Sequence, residues 1–114
     1  MSKLSKRLES LALLVDKKDS IVDVGCDHGL LSIYLVENKL CKKVIASDVN
    51  QNALNSAIKN ISLRKLDIET VLSDGIEQVN LKGINTLIIS GMGTSTILHI
   101  LSDDNKLKKI NKLI

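Results

Sequence analysis

The stretch that decides the fold runs from residue 21 to residue 29 and reads Ile-Val-Asp-Val-Gly-Cys-Asp-His-Gly. It is a β-branched run that ends in glycine, and a polar loop and an apolar segment over Leu30 to Asn38 follow it. This pattern predicts a strand, a tight loop and a helix. The same order recurs, with further strands predicted over Val44 to Ser47, Ile68 to Leu72 and Ile84 to Ile89.

Helical segments separate these predicted strands. An amphipathic helix is expected at the N-terminus, with its apolar side formed by Leu4, Leu8, Leu11, Ala12 and Val15. Asn50 is a suitable N-cap for a helix whose predicted buried stripe is Leu54, Ala57, Ile58 and Ile61. A short helical turn is expected after Gly75, and another helix over Thr94 to Leu101.

The first and fourth predicted strands are nearly continuous apolar runs, so both faces of the sheet should be covered. Strands that alternate with helices in this way form a parallel α/β sheet, and all the loops that follow the strands then lie along its carboxyl edge. Any functional site should gather at that edge.

Composition agrees with a single domain over residues 1–114. Of these residues 44% are hydrophobic and 25% are charged, and the formal net charge is +3. The apolar runs are too short for a membrane span, and no signal-peptide core precedes the first helix, so we expect no membrane and a cytoplasmic location. Tyr34 is the sole aromatic residue, which argues against a protein that binds unpaired bases by stacking them on aromatic side chains.

The two cysteines do not form a standard metal or redox motif. Cys26 and Cys41 are 15 residues apart, and a four-ligand set with His28 and His99 matches no usual spacing. We therefore expect two free thiols and no bound metal.

The last segment, residues 107–114, resembles a basic connector that enters a fifth strand. We expect the chain to stop before that strand is complete, so that the fold is truncated after the fourth strand. Such a fold would present an unpaired apolar sheet edge, through which copies of the chain could self-associate.

Acidic residues and glycines follow three of the predicted strands. The first offers Asp23, Gly25, Asp27 and Gly29, the second Asp48, and the third Asp74 and Gly75. A glycine-rich loop lets the backbone approach a ligand, and an acidic residue after the second strand can accept hydrogen bonds from a ribose. The pattern therefore favours a nucleoside.

The charge of the first loop indicates which nucleoside. The loop lacks the G-x-G-x-x-G pattern, and Asp27 stands where a dinucleotide's pyrophosphate would sit, which argues against NAD. S-adenosylmethionine has a ribose and an adenine but no phosphate, and its ammonium and sulfonium favour nearby carboxylates.

Four segments resemble the bacterial tRNA adenine-22 N1-methyltransferases, a family of class I S-adenosylmethionine-dependent enzymes. They are LSKRLESLALLV at 4–15, IVDVGCDHGLLSIYLV at 21–36, VIASDVNQNALNSAIKNI at 44–61 and INTLIISGMGTSTI at 84–97. The resemblance implies a Rossmann-like class I methyltransferase fold, S-adenosyl-L-methionine as cofactor, tRNA as partner and methylation of adenine N1.

The resemblance also implies roles for residues at each strand end. The cofactor-binding set is Asp23, Gly25, Cys26, Asp27, Asp48, Val49, Asn50, Ser73, Asp74, Gly75, Ser90, Gly91 and Met92. Within it, Asp48 would bind the ribose, and Ser90 to Gly93 would line the side where the target base enters. Asp27 and His28 are the candidates for a catalytic contribution, with helix capping or a backbone hydrogen bond as the structural alternative for His28.

The chain departs from the family in two places. Leu31-Ser32 stands where Leu-Pro is common, a change expected to relax the start of the following helix. The Gln-Pro-Asn-type segment and the C-terminal helical domain that the family uses to engage tRNA are missing, so we expect little or no methyl transfer by residues 1–114 alone.

Two other functions remain open from the sequence. One is an S-adenosylmethionine-binding domain that acts on a small molecule or is inactive, which the near-absence of aromatic residues favours. The other is a different nucleotide-binding module, such as half of a dehydrogenase, which the missing G-x-G-x-x-G pattern disfavours.

Overall fold

The computed structural model describes residues 4–89, Ile97 and residues 110–114. Three helices lie in this part of the chain: α1 (Lys6–Ala12), α2 (Leu30–Glu37) and α3 (Gln51–Leu63). Five strands form one sheet: β1 (Ser20–Val24), β2 (Lys43–Asp48), β3 (Glu69–Leu72), β4 (Thr86–Ile89) and β5 (Lys112–Leu113). The predicted strands are found within one or two residues of their expected bounds.

All the paired strands are parallel, and their order across the sheet is β3-β2-β1-β4-β5. In the register of the sheet, Val24 is paired with Ser47 on one side and with Ile89 on the other. Strand β1 therefore lies in the centre, with β2 and β3 on one side of it and β4 and β5 on the other. Because the strand order reverses direction at β1, a crevice opens beyond its carboxyl end. The parallel α/β prediction is confirmed.

The fifth strand corrects the expectation of a sheet truncated after its fourth strand. Lys112 pairs with Thr86 and Leu113 with Leu87, so the last residues of the chain extend the sheet beside β4. The predicted entry into a fifth strand is right, but its first residues are already hydrogen-bonded in place. Among the described residues, β5 rather than β4 is the edge of the sheet on this side.

Both faces of the sheet are covered, as predicted, but the helices that the structure describes lie on one of them. Every residue of β1 is buried, and so are the first three of β4. On one face, Leu31 and Leu35 of α2 pack with Ile21, Val44 and Ile88. Helix α1 packs against α2 on this face, and α3 packs on Ala46, whose side chain points to the same face as that of Val44. The other face is covered by apolar residues of the segment between β3 and β4, namely Ile76, Val79, Leu81 and Ile84.

Helix α3 begins where the sequence predicts it. The Asn50 side chain accepts a hydrogen bond from the Ala53 N–H, so the N-cap is confirmed. Leu54, Ala57 and Ile61 are buried as expected, but Ile58 is 39% exposed and does not belong to the buried stripe. The short helical turn expected after Gly75 is found, with the Glu77 N–H donating to the Asp74 carbonyl and the Val79 N–H to the Ile76 carbonyl.

Some expectations fall outside the described part of the chain. The helix predicted over residues 94–101 does so except at Ile97, which is helical. None of the helices that the structure describes is long and apolar enough to cross a bilayer.

Candidate functional site

The loop after β1 takes a conformation that few residues adopt. Gly25, Asp27 and Gly29 all have positive φ, at 76°, 53° and 78°. The N–H groups of Gly25 and Cys26 both donate to the Ser47 carbonyl at 2.9 Å, and the Gly29 N–H donates to the Cys26 carbonyl at 2.8 Å. The loop is thereby turned back over the end of β2 and held there.

Asp48, the last residue of β2, joins the first two strand-end loops. Its Oδ2 accepts a hydrogen bond from the Asp27 N–H at 2.9 Å, and its Oδ1 accepts one from the Asn50 N–H at 3.0 Å. The residue is only 8% exposed. Each carboxylate oxygen can accept a second hydrogen bond, so Asp48 orders the loops and keeps acceptor capacity for a hydroxyl ligand.

Asp23 lies beneath the loop and is fully buried. Its Oδ2 accepts a hydrogen bond from the Ser32 hydroxyl at 2.8 Å, and Ser32 is also fully buried. Ser32 was expected to relax the start of α2, but its hydrogen bond instead ties the first turn of α2 to β1.

The catalytic candidates Asp27 and His28 lie on the outer side of the same loop. Their side chains are 71% and 58% exposed, and His28 Nε2 is 3.8 Å from Asp27 Oδ1. The other ring nitrogen, Nδ1, is hydrogen-bonded to the Ser56 hydroxyl at 2.8 Å. Both functional groups thus face solvent at the mouth of the crevice, where a substrate can reach them.

The end of β3 contributes a second tight loop. The Ser73 N–H donates to the Asp48 carbonyl at 3.0 Å, and the buried Ser73 hydroxyl donates to the Gly75 carbonyl at 2.8 Å. The Asp74 N–H donates to Gln78 Oε1 at 2.7 Å, and the residue is exposed to solvent. The predicted residues of the third strand therefore lie beside those of the second.

Cys26 is placed differently from the rest of the predicted set. Its side chain is 6% exposed and packs with Ala46, Leu54 and Ala57. Burial raises the pKa of the Cys26 thiol far above its ordinary value, and the carboxylates of Asp23, Asp48 and Asp27 raise it further. Only the main chain of Cys26 is therefore suited to a cofactor.

Three predicted residues, Ser90, Gly91 and Met92, lie outside the described residues, together with Gly93. In the ranges that are described, no three His, Cys, Asp or Glu side chains are grouped so that they could hold a metal ion.

The sequence reasoning missed three polar contacts that shape the site, from Ser32, Ser56 and Asn60. One signal was present: Ser56 and Asn60 are four residues apart and flank Ala57 on the buried side of the predicted helix.

The assembled edge fits S-adenosylmethionine by the chemistry of its donors. The ionised side chains after the first three strands are carboxylates, which suits a cationic ligand without phosphate. Asp48 offers a ribose the lone pairs that the two N–H groups leave free. Val49 and Leu72, exposed to 59% and 47%, give the apolar surface that a flat purine needs.

A separate cavity of about 750 Å³ lies at the opposite, amino edge of the sheet. Its charged lining residues are Lys39, Lys42, Lys43, Lys82, Asp67 and Glu69. Lys39 directly follows the Asn38 C-cap of α2, where a cation offsets the negative end of the helix dipole. The acidic residues and glycines predicted to bind the cofactor lie instead at the carboxyl edge.

Known proteins with similar sequences and folds were found in three comparisons. The family model described as a methyltransferase domain matches residues 4–114. The tRNA (adenine(22)-N(1))-methyltransferase of Bacillus subtilis is 32% identical over 101 residues, which are 87% of this chain and 42% of that protein.

Two solved structures show the same fold with a cofactor bound. TrmK of M. capricolum, in complex with S-adenosyl-homocysteine, is 42% identical with a TM-score of 0.83, and the match covers 90% of this chain and 48% of that one. Sp1610 of Streptococcus pneumoniae, in complex with S-adenosyl-L-methionine, is 34% identical with a TM-score of 0.90, and the match covers 97% of this chain and 54% of that one.

The chain spans about half the length of these relatives. Its fold superposes on those of the two solved relatives with TM-scores of 0.83 and 0.90. The chain therefore belongs to the methyltransferase domain family, within the class I S-adenosylmethionine-dependent group of the tRNA (adenine-22-N1)-methyltransferases.

Proposed function

We propose that the carboxyl edge of β1, β2 and β3 binds S-adenosylmethionine and that the chain supplies the methyl-transfer domain of a tRNA (adenine-N1)-methyltransferase acting at adenine 22. The observation that carries the proposal is the hydrogen bond of 2.9 Å from the Asp27 N–H to Asp48 Oδ2. This bond brings the catalytic candidates of the first loop beside the carboxylate that suits a ribose.

Each part of the edge has a proposed role in holding the cofactor. Asp23 and Gly25 shape the pocket for the methionine portion, with the main chain of Cys26 and Asp27 beside it. Asp48 receives the ribose hydroxyls, Val49 and Asn50 lie against the adenine, and Ser73, Asp74 and Gly75 border its ring edge. Ser90, Gly91 and Met92 remain the proposed entry side for the target base.

The bound cofactor supplies an electrophilic methyl group on a positively charged sulfur, and adenine N1 has an in-plane lone pair that needs no base to expose it. The protein therefore has mainly to align the reactants and to stabilise positive charge as it moves onto the purine. The exposed Asp27 carboxylate is suited to that second task, and His28 stands next to it.

Single-turnover methylation tests the proposal. The chain, in excess over unmodified tRNA, is mixed with radiolabelled S-adenosylmethionine, and the digested nucleosides are separated by mass. Because residues 1–114 alone should transfer little, we expect only a small yield of N1-methyladenosine over a long reaction, located at position 22 by primer extension. Bound cofactor with a different methylated product, or with a small molecule methylated in place of tRNA, would contradict the proposed substrate.

Asp27→Asn distinguishes catalysis from cofactor binding in the same assay. It removes the charge and keeps the shape, so the transfer rate should fall much further than the affinity for S-adenosylmethionine. If the two fall in step, Asp27 serves binding alone.

A further inference from the structure

Two polar side chains of α3 make hydrogen bonds to His28, one to its ring and the other to its main chain. Ser56 Oγ is 2.8 Å from His28 Nδ1, and Asn60 Nδ2 donates to the His28 carbonyl at 2.9 Å. Ser56 and Asn60 are four residues apart, so they project from the same side of the helix, one turn above the other. The side chain and the main chain of His28 are therefore fixed by one rigid element.

The packing of α3 against the first loop, between these two contacts, leaves little room for relative movement. Ala57 lies between Ser56 and Asn60 and is fully buried, and a methyl group built on Gly29 would be only 3.1 Å from its Cβ. The helix surface thus lies directly against the residue that follows His28. Movement of α3 relative to the loop would change the position of His28 as well.

The consequence concerns the direction in which the ring points. With Nδ1 held by Ser56, Nε2 is directed to the side on which Asp27 Oδ1 lies at 3.8 Å. A serine hydroxyl can donate or accept, but the Asp27 carboxylate favours the proton on Nε2, which leaves Nδ1 to accept from Ser56 in the neutral ring. An exposed histidine side chain without such a contact would sample several rotamers and both tautomers.

We propose that Ser56 and Asn60 are positioning residues for methyl transfer, which hold the His28 ring so that Nε2 faces the reacting side of the first loop. The inference rests on the proposed function, because it assumes that His28 borders the site of transfer. Ser56 acts on the ring and Asn60 on the main chain, so removing either should loosen a different part of the same residue.

The first readout does not depend on activity. The ¹⁵N shifts of the His28 ring nitrogens, measured by NMR on the whole chain, report the tautomer. Wild type should show one predominant tautomer, and Ser56→Ala should shift the ring toward a mixture. Ser56→Thr keeps the hydroxyl and should restore the wild-type pattern. Ser62→Ala, the same change near the end of α3, is the matched control and should leave the ring signals unchanged.

The second readout is the single-turnover rate set against cofactor affinity. Ser56→Ala and Asn60→Ala should lower the rate roughly tenfold or more, as misplacement of a reacting group does, while the dissociation constant for S-adenosylhomocysteine stays within about twofold of wild type. Ser56→Thr should recover most of the rate. Unchanged ring signals in Ser56→Ala would overturn the inference. So would transfer rates in Ser56→Ala and Asn60→Ala that equal the measured rate of wild type. A wild type that binds no S-adenosylhomocysteine but shows the expected ring signals would instead refute the proposed function.

Discussion

At the scale of single residues, the partners of a carboxylate decide what it does in this molecule. Asp48 and Asp19 lie at opposite edges of the sheet and both are almost fully buried. Asp48 accepts from two loop N–H groups, whereas Asp19 accepts from Lys112 Nζ at 2.8 Å, Asn85 Nδ2 at 3.0 Å and the Asp16 N–H at 2.9 Å. The first arrangement organises a site, and the second ties β5 to the rest of the sheet.

The ion pair of Asp19 predicts a dependence of stability on pH. Burial alone would raise the pKa of Asp19, but the hydrogen bonds from Lys112, Asp16 and Asn85 and the charge of Lys112 lower it from 3.8 to about 2. Because the folded pKa is the lower one, the stabilisation is complete above pH 3.8 and is lost as the pH falls through about 2. Its size is about 2 kcal/mol.

Urea unfolding of wild type and Asp19→Asn across this pH range measures the effect. The difference in unfolding free energy should be largest at neutral pH and should shrink by about 2 kcal/mol on acidification to pH 2. Asp67→Asn, a change at an exposed carboxylate of the same edge, is the control. A difference between wild type and Asp19→Asn that stays constant over this range would contradict the assignment.

At the scale of elements, the contact between α3 and the first loop depends on the absence of a side chain at Gly29. Alanine there would have both a strained φ of +78° and a Cβ only 3.1 Å from that of Ala57. Gly83 has a φ of +80° but no atom within 4 Å of an added Cβ. Comparing alanine variants at the two glycines therefore separates the cost of backbone strain from the cost of a packing clash.

We expect Gly83→Ala to lower the unfolding free energy by roughly 1–2 kcal/mol, the cost of a left-handed non-glycine residue. Gly29→Ala should cost more, because the helix must also move. Chemical denaturation of the two variants gives the comparison directly. Equal losses would mean that α3 and the loop are not in tight contact.

The elements also show what can be predicted from sequence alone. The strand, loop and helix around Asp23 to Gly29 follow from a local pattern, and the meeting of Asp27 with Asp48 follows from parallel strands. The hydrogen bond between His28 and Ser56 depends on the rotation of a helix 28 residues away, which no local pattern specifies. Ile58 was wrongly assigned to the buried stripe for the same reason, since the stripe had the right period but the wrong width.

At the scale of the whole molecule, the short strand β5 has consequences for association. Within the described ranges, β5 pairs with β4 on one side only, and Leu113 is 54% exposed. An open strand edge with an apolar side chain is a template for pairing with another chain. We therefore expect the mass measured by sedimentation to rise with protein concentration.

A charge at that edge should oppose this association. Leu113→Lys should keep the protein monomeric at concentrations where wild type associates. Leu63→Lys alters a leucine that is 72% exposed at the end of α3, away from the edge, and should associate like wild type. A monomeric wild type, or equal behaviour of the two variants, would show that the edge is not used.

The central claim is that the cofactor binds at the carboxyl edge, with Asp48 as its acceptor for the ribose. Titration of the chain with S-adenosylhomocysteine in a calorimeter tests it most directly, with Asp67→Ala as the control carboxylate and circular dichroism to verify the fold. We predict one site per chain, and a loss of about 1.5–3 kcal/mol, or roughly 10- to 150-fold in affinity, in Asp48→Ala alone. Absence of binding, or a folded Asp48→Ala variant that binds as tightly as wild type, would contradict it.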